Sequence, residues 1–156
     1  MHPSAADFVA DARERYSVDL DVKEFPEGTK TAHDAATAIG CDVAQIASSI
    51  VLVADGDVVV SVTSGSNRVD TDRLAALCNA DEARLATADE VKEATGWTIG
   101  GVPPFCHDHD LPVYIDDRLT DFETVWAAAG TPMAVFPVEP AQIIAFAGAE
   151  IADVAE

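Results

Sequence analysis

The feature that most restricts the fold is a pair of apolar, β-branched segments joined by a two-residue turn. Residues 49–54 read Ser-Ile-Val-Leu-Val-Ala, residues 57–63 read Asp-Val-Val-Val-Ser-Val-Thr, and Asp55-Gly56 lies between them. Asp-Gly favours a tight hairpin because both central positions of a type I′ turn need a positive φ angle. The sequence therefore predicts an antiparallel hairpin in the middle of the chain, around which the rest of a sheet must form.

The other predicted elements are short and alternate irregularly between helix and strand. Capping residues and apolar periodicity predict helices over residues 4–16, 31–40, 70–77, 87–96 and 140–146. Alternating apolar residues predict strands over residues 18–25, 84–86, 111–115, 124–128, 133–138 and 150–154. This order lacks the strand–helix alternation of a doubly wound fold. We expect one α+β domain over residues 1–156, with a curled, mixed, mostly antiparallel, barrel-like sheet and helices packed outside it.

The composition is strongly acidic. The chain has 28 acidic and 9 basic residues, a formal net charge of −19, yet 49% of its residues are hydrophobic, which excludes a disordered acidic protein. Self-repulsion at this charge is screened within about 3 Å at molar ionic strength, so we predict a halophilic protein of a salt-rich cytoplasm. An ordinary acidic mesophilic protein is the alternative. The charge also removes whole-molecule attraction to nucleic acid, so any RNA contact must be local.

Signals for targeting, redox chemistry and nucleotide binding are sparse. Residues 1–7 show no basic region followed by an apolar stretch, and no apolar run approaches the about 18 residues that span a bilayer. We therefore expect a cytoplasmic protein without a membrane partner. Three widely spaced cysteines favour reduced thiols over a disulfide framework. The chain has no GxGxxG, P-loop or GxSxG motif, and we expect no cofactor and no DNA partner.

The segment Gly100-Gly101-Val102-Pro103-Pro104 is the strongest candidate for a functional loop. Two glycines allow close backbone approach or a positive φ angle, and two prolines stiffen the chain and remove N–H donors. We predict a preorganised loop whose few free amides point into a pocket, where they can hold a carbonyl or a developing oxyanion. A rigid turn between a helix and a strand is the alternative.

The next residues, Cys106-His107-Asp108-His109-Asp110, contain five potential metal ligands in a row. Adjacent residues rarely converge on one ion, and no second Cys or His pair stands at metal-site spacing, so we expect no metal. A nucleophilic Cys/His pair is disfavoured for the same geometric reason. We expect a polar loop at the mouth of a pocket, where His107 or His109 contacts ligand. Asp116 is either a pocket carboxylate or a turn residue. Arg68 and Lys30 are among the few bases that can meet a phosphate.

Several segments, taken in order, resemble the YbaK/prolyl-tRNA-synthetase-associated family. The Gly100–Pro104 stretch matches the GxxxP loop of that family, its most specific motif. The other matching segments are Glu27–Ala32, Gln45–Ile46, Ser49–Leu52, Val60–Thr63, Arg68–Asp70, Thr95–Gly96, Ile99–Phe105 and Leu111–Asp116. The likeness covers essentially the whole chain, and the family fold is the curled mixed sheet expected above.

The resemblance implies hydrolysis of mischarged aminoacyl-tRNA, typically proline tRNA carrying cysteine or alanine, with prolyl-tRNA synthetase as a candidate partner. In the family, the terminal ribose hydroxyl or a water attacks the ester while loop amides hold the carbonyl. On this basis the candidate catalytic residues are Gly100, Gly101 and Ser48. The candidate substrate-binding residues are Lys30, Thr63, Val102, Pro103, Pro104, His107 and Asp116, with Asp116 assigned to the α-amino group.

Two positions depart from the family pattern. Ser48 stands where the family commonly has a lysine, and a serine can orient a water or donate one hydrogen bond but cannot neutralise an oxyanion. Cys106 stands where a glycine is usual. The first departure favours an alternative function, a non-catalytic module that binds an aminoacyl group or a related small molecule in the same pocket. A metal-dependent hydrolase using Cys106, His107 and His109 is a further alternative.

Overall fold

A computed structural model describes residues 1–25 and 31–156, which form five α-helices, eight strands and two 3-10 turns. The helices are α1 (Pro3–Tyr16), α2 (Ala32–Ile39), α3 (Thr71–Leu77), α4 (Ala88–Thr95) and α5 (Pro140–Ala147). The strands are β1 (Lys23–Glu24), β2 (Ile46–Ala54), β3 (Asp57–Ser64), β4 (Ala83–Leu85), β5 (Val113–Asp116), β6 (Val125–Ala128), β7 (Ala134–Val138) and β8 (Glu150–Ala152). The 3-10 turns are Val43–Gln45 and Asp117–Asp121.

The central hairpin forms as the sequence predicts. Strands β2 and β3 pair antiparallel along their length, from Ala47 opposite Ser64 to Ala54 opposite Asp57. Both turn residues, Asp55 (φ 48°) and Gly56 (φ 89°), have positive φ angles. This is the conformation that a two-residue type I′ turn requires, which explains the Asp-Gly sequence.

The eight strands form one curled sheet in the order β1-β7-β6-β2-β3-β5-β8, with β4 paired to β2 beside this path. Four pairs are antiparallel: β1/β7, β2/β3, β2/β4 and β6/β7. Three pairs are parallel: β2/β6, β3/β5 and β5/β8. The predicted mixed, mostly antiparallel sheet with helices around it is confirmed.

Helices cover both faces of this sheet. On one face, α1 inserts Phe8, which is 0% exposed and contacts the rings of Phe105 and Phe136 at centroid distances of 5.6 and 5.1 Å. On the other face, Leu74 of α3 packs against Leu52 of β2. Because side chains alternate across a strand, β2 contributes to a separate apolar cluster on each face.

The predicted strand over residues 18–25 is wrong in extent. Only Lys23 and Glu24 pair, with Val135 and Ala134 of β7. The alternation that suggested a strand is real, since Val18, Leu20 and Val22 pack against the main core. Burial of alternate side chains therefore occurs here without a backbone ladder. No helix within the described ranges is long and apolar enough to cross a bilayer.

Candidate functional site

The site lies at a gap on one edge of β2. On this edge β6 pairs with Ile46 and Ala47, and β4 pairs with residues 52–54. The stretch between these two strands has no strand partner on this edge in the part of the chain that the structure describes. A cavity of about 610 Å³ opens there, within the range of small-molecule sites in proteins, roughly 300–1,000 Å³.

The walls of this cavity are small and apolar. They include alanines from α2, β2 and β6 and valines from β2, α4 and β7, together with Ile50, Ile99 and Trp126. The polar side chains at the wall are Thr31, Ser48 and Ser49. No charged side chain of the described residues lines the cavity. The cavity therefore suits a small uncharged group, and backbone groups must supply most of the polar contacts.

The glycine-rich loop forms a tight turn beside this cavity. The Gly101 N–H donates to the Thr98 carbonyl at 2.9 Å, and Gly100 has a φ of +85°. This matches a type II turn, whose third residue needs a positive φ angle. Gly101 has a different requirement, since a Cβ there would lie 2.6 Å from the Cα of Thr131. One glycine is needed for conformation and the other for close packing.

The turn also decides which loop amides remain free. The Gly101 N–H, expected to be free for a ligand, is used inside the turn. The N–H groups of Gly100 and Val102 donate to no backbone carbonyl within the described residues, and both residues line the cavity. These two amides are the candidate donors for a substrate carbonyl.

Two of the candidate residues come together on adjacent strands. Ser48 of β2 lies directly opposite Thr63 of β3, so their side chains share one face of the sheet. Ser48 lines the cavity, whereas Thr63 is 2% exposed and its Oγ1 lies 2.9 Å from the Oγ of Ser61. The result is a short row of hydroxyl groups that begins at the cavity and crosses to β3.

The backbone of Ser49 faces the gap, which the sequence did not indicate. Gly65 N–H donates to the Ile46 carbonyl on the β3 side, whereas Ala86 N–H donates to the Val51 carbonyl on the gap side. In an antiparallel pair, backbone groups alternate between the two edges, so Ser49 shares the direction of Val51. Its N–H and C=O therefore point into the gap. Its hydroxyl is buried and has no hydrogen-bond partner among the described residues.

His107 lies in a different place from the one expected. It is 7% exposed and lines a separate cavity of about 220 Å³, together with Arg15 and Tyr16. Its Nε2 lies 2.8 Å from the Pro103 carbonyl, which can only accept, so Nε2 carries the proton. Burial lowers the pKa of His107, which favours the neutral ring. Pro103 and Pro104 are buried and line neither cavity. His107 therefore supports the proline segment through this hydrogen bond and does not line the first cavity.

The backbone conformation of Cys106 accounts for the glycine that is usual at its position. Its φ is +65°, in the left-handed region that favours glycine. Burial raises the pKa of the Cys106 thiol to about 12, so it is not a ready nucleophile. No three His, Cys, Asp or Glu side chains converge on one metal position in the described ranges. The geometry thus offers no support for a hydrolase built on Cys106, His107 and His109.

Asp116 is a turn residue in this structure. It is 0% exposed and lines neither cavity described above. Its carboxylate accepts hydrogen bonds from the N–H of Ser64 and the N–H of Arg118, each at 3.1 Å. It also lies 3.3 Å from the Arg118 guanidinium. Lys30 falls outside the described residues.

Comparisons with known proteins agree on one family. Residues 26–146 match the sequence model of the aminoacyl-tRNA editing domain. The uncharacterized protein YwhH of Bacillus subtilis is 33% identical over 132 residues, which are 84% of this chain and 83% of that protein. A solved structure of a protein proposed to be a trans-editing enzyme for prolyl-tRNA synthetase is 40% identical, with a TM-score of 0.94, covering 100% of this chain and 99% of that one.

The likeness extends to part of a larger enzyme. The proline–tRNA ligase of Lactobacillus johnsonii is 33% identical over 85 residues, which are 54% of this chain and 15% of the ligase. This chain therefore matches a minor part of the length of that ligase.

Proposed function

This chain belongs to the aminoacyl-tRNA editing domain family, and from that premise we propose that it is a trans-editing deacylase for mischarged aminoacyl-tRNA of the Cys- or Ala-tRNA(Pro) type. The observation that carries the proposal is the apolar cavity beside the Gly100 turn, with two amides at its wall that donate to no backbone carbonyl of the described residues. A cavity that no described charged side chain lines, with a few placed donors, suits an acyl group linked through an ester.

The described groups suggest how the ester is hydrolysed. The amides of Gly100 and Val102 hold the carbonyl and stabilise the oxyanion that forms when a water attacks the carbonyl carbon, either directly or after the neighbouring ribose hydroxyl has taken over the acyl group as a second ester. The Ser48 hydroxyl orients the attacking group. The tetrahedral intermediate then breaks its bond to the ribose oxygen, which takes up a proton and leaves. The Ser49 carbonyl, which faces the gap, accepts a hydrogen bond from the α-amino group.

Selectivity in this scheme comes from the size of the cavity. The wall is mostly apolar and stands largely on strands and helices, so its shape is well defined, and we propose that it admits a small amino-acid side chain and excludes larger ones. One extra or missing methylene in the substrate changes the free energy of discrimination by such a pocket by about 1–3 kcal/mol. The pocket does not read the tRNA, so that task falls to other contacts or to a prolyl-tRNA synthetase partner. We place the reaction in a salt-rich cytoplasm.

A binding module without turnover is the second candidate. It is favoured by the absence of any titratable side chain among the described residues that line the cavity, and by Ser48 in place of the usual lysine. Such a module would hold an aminoacyl group or a related molecule in the same place.

The deciding experiment measures release of labelled amino acid from Ala-, Cys- and Pro-charged proline tRNA in molar potassium chloride. The wild type is compared with Ser48→Ala and with Ser66→Ala, an exposed serine outside the cavity. We expect hydrolysis of a mischarged tRNA, sparing of Pro-tRNA, and a slower rate for Ser48→Ala alone. Survival of all three substrates at every salt concentration would favour the binding module.

A further inference from the structure

A second cavity lies next to the first. It has a volume of about 460 Å³ and shares with the first cavity the wall residues Ala32, Ser48, Ile50 and Leu85. The two cavities therefore form one groove of two compartments, and Ser48 stands at their junction. More of the residues that line the second compartment have polar or charged side chains, and these come from β3, from the segment before α3 and from the last residue, Glu156.

Arg68 gives this second compartment its positive charge. It is exposed, lines the cavity, and forms no ion pair with a described acidic residue. All other described arginines are in ion pairs: Arg13, Arg15, Arg73, Arg84 and Arg118. In a chain with 28 acidic residues, an arginine that no described acid neutralises is a group left available for an outside anion.

The neighbouring residue adds a second unused group. The side-chain amide nitrogen of Asn67 is buried, lines this compartment, and has no hydrogen-bond partner within the described residues. A buried donor without an acceptor is unfavourable, and a ligand that supplies the acceptor removes that cost. Thr63 lies further along the same wall.

We propose that the second compartment binds the 3′-terminal nucleotide of the RNA, with its 5′-phosphate on Arg68 and its nucleoside against Asn67 and Thr63. This inference rests on the proposed deacylase function, since it places the ester bond at Ser48 and the acyl group in the first compartment. A guanidinium can bind two phosphate oxygens at once, which suits a single, local anion contact. A contact of this kind is what a chain of net charge −19 can offer to RNA.

One acidic side chain works against this contact. Glu156 also lines the compartment, and its backbone N–H donates to the Arg68 carbonyl at 2.9 Å. Its carboxylate forms no ion pair with Arg68. The charge of Glu156 should weaken phosphate binding, so its removal is predicted to strengthen binding. This gives two variants with opposite expected effects in one cavity.

The first experiment measures binding of the trinucleotide CCA, of adenosine 5′-monophosphate and of adenosine. We compare the wild type, Arg68→Gln, Glu156→Gln and, as a control, Arg73→Gln, whose arginine is ion-paired with Asp70. We expect Arg68→Gln to weaken CCA and mononucleotide binding at least about 10-fold, to leave adenosine unaffected, and to reduce the salt slope by about 0.7. Glu156→Gln should strengthen binding. Equal affinities for wild type and Arg68→Gln, or an equal loss in Arg73→Gln, would overturn the inference.

The second experiment tests whether the compartment binds the end of a tRNA or only a free mononucleotide. It also tests the nucleotide site separately from the deacylase function. We expect Arg68→Gln to raise the KM for charged tRNA with little change in kcat, and to leave hydrolysis of an aminoacyl-adenosine without phosphate unchanged. Mononucleotide binding without any effect of Arg68 on charged tRNA would overturn the assignment to RNA. If the wild type hydrolyses no charged tRNA but binds CCA through Arg68, the deacylase proposal fails and the nucleotide site stands. If hydrolysis occurs regardless of Arg68, the deacylase proposal stands and the nucleotide site fails.

Discussion

At the scale of single residues, the two adjacent serines of β2 have opposite surroundings. Ser48 and Ser49 both line the first cavity from opposite faces of β2, and the buried hydroxyl of Ser49 has no hydrogen-bond partner among the described residues. Removing an unsatisfied buried polar group is neutral or stabilising, by up to about 1 kcal/mol. We predict that Ser49→Ala raises the free energy of unfolding, as measured by chemical denaturation at fixed salt. A clear loss of stability would mean that the hydroxyl has a partner, such as water.

Ser48→Ala should instead change the rate and not the stability. A single neutral hydrogen bond contributes about 0.5–1.5 kcal/mol, and each 1.36 kcal/mol of barrier is a tenfold change in rate. We therefore expect deacylation to slow by about 2- to 12-fold while the free energy of unfolding stays near that of the wild type. An unchanged rate would remove Ser48 from the catalytic residues.

Gly40 and Gly101 allow the effect of backbone strain to be measured separately from the effect of close packing. A Cβ at Gly101 would lie 2.6 Å from Thr131 Cα, whereas at Gly40, with φ of +86°, it would meet nothing within 4 Å. We predict that Gly40→Ala costs about 1 kcal/mol of stability and leaves deacylation intact. Gly101→Ala should displace the turn, cost about 1–3 kcal/mol and abolish deacylation. Thermal melts and the labelled-tRNA assay test both variants, and full activity of Gly101→Ala would contradict the role of the turn.

His107 should make the loop sensitive to acid. Burial lowers its pKa below the unfolded value near 6.5, so the unfolded chain binds this proton more readily. The stability linked to His107 is therefore complete above about pH 6.5 and is lost as the pH falls toward the lower folded pKa. Chemical denaturation at several pH values between roughly 5 and 8, where histidine titrates, should show this loss of stability in the wild type and in His109→Gln. The loss should be absent from His107→Gln.

At the scale of elements, Asp116 connects the end of β3 to the 3-10 turn Asp117–Asp121. Its carboxylate accepts the N–H groups of Ser64 and Arg118. We predict that Asp116→Ala lowers the free energy of unfolding by about 2–3 kcal/mol, since one buried and one partly buried N–H lose their acceptor. The KM for substrate should stay constant in high salt, where the variant is folded. Asp117→Ala, at an exposed neighbour, is the control. A raised KM with unchanged stability would restore Asp116 to the substrate site.

The elements that local rules predict best are those closed by their own caps. Helix α4 is capped at its start by Thr87, whose side chain accepts from the Glu90 N–H while the Glu90 carboxylate accepts from the Thr87 N–H. It is capped at its end by Gly96, which has a φ of +82°. The start was predicted from the four residues Thr87–Glu90 and the end from Gly96, because the interacting groups are neighbours in the chain. The length of the strand over residues 18–25 was overestimated, because alternating apolar residues indicate that side chains are buried and not that the backbone pairs with another strand.

At the scale of the whole molecule, the net charge of −19 dominates behaviour in solution. Surface ion pairs such as Arg13–Asp19 are weak and are screened by salt, but the repulsion among the surplus acids is screened as well. We predict that the melting temperature rises by more than about 4 °C between low salt and molar potassium chloride, which corresponds to about 1 kcal/mol or more. Sucrose is the control, because it favours burial without screening charge. Full stability at low salt would contradict the halophilic assignment.

The sequence by itself determined the features that depend on near neighbours and on composition. These are the β2/β3 hairpin, the predicted caps of α2, α3 and α4, the glycine-rich loop at Gly100 and the acidic composition. Each follows from φ preferences, from hydrogen bonds within a few residues, or from counting charges. The motif series, with the GxxxP loop at its centre, also indicated the editing-domain family that the comparisons support.

Only the tertiary structure decided where the candidate groups meet. The parallel pairs β2/β6 and β3/β5 join segments that are far apart in the chain, and the unpaired stretch between β6 and β4 creates the cavity. The same packing places His107 and Asp116 away from the cavity and connects it to the Arg68 compartment. These strand pairings are favoured because they bury apolar side chains on both faces of the sheet. That free energy depends on the whole core, so it cannot be read from a short segment of sequence.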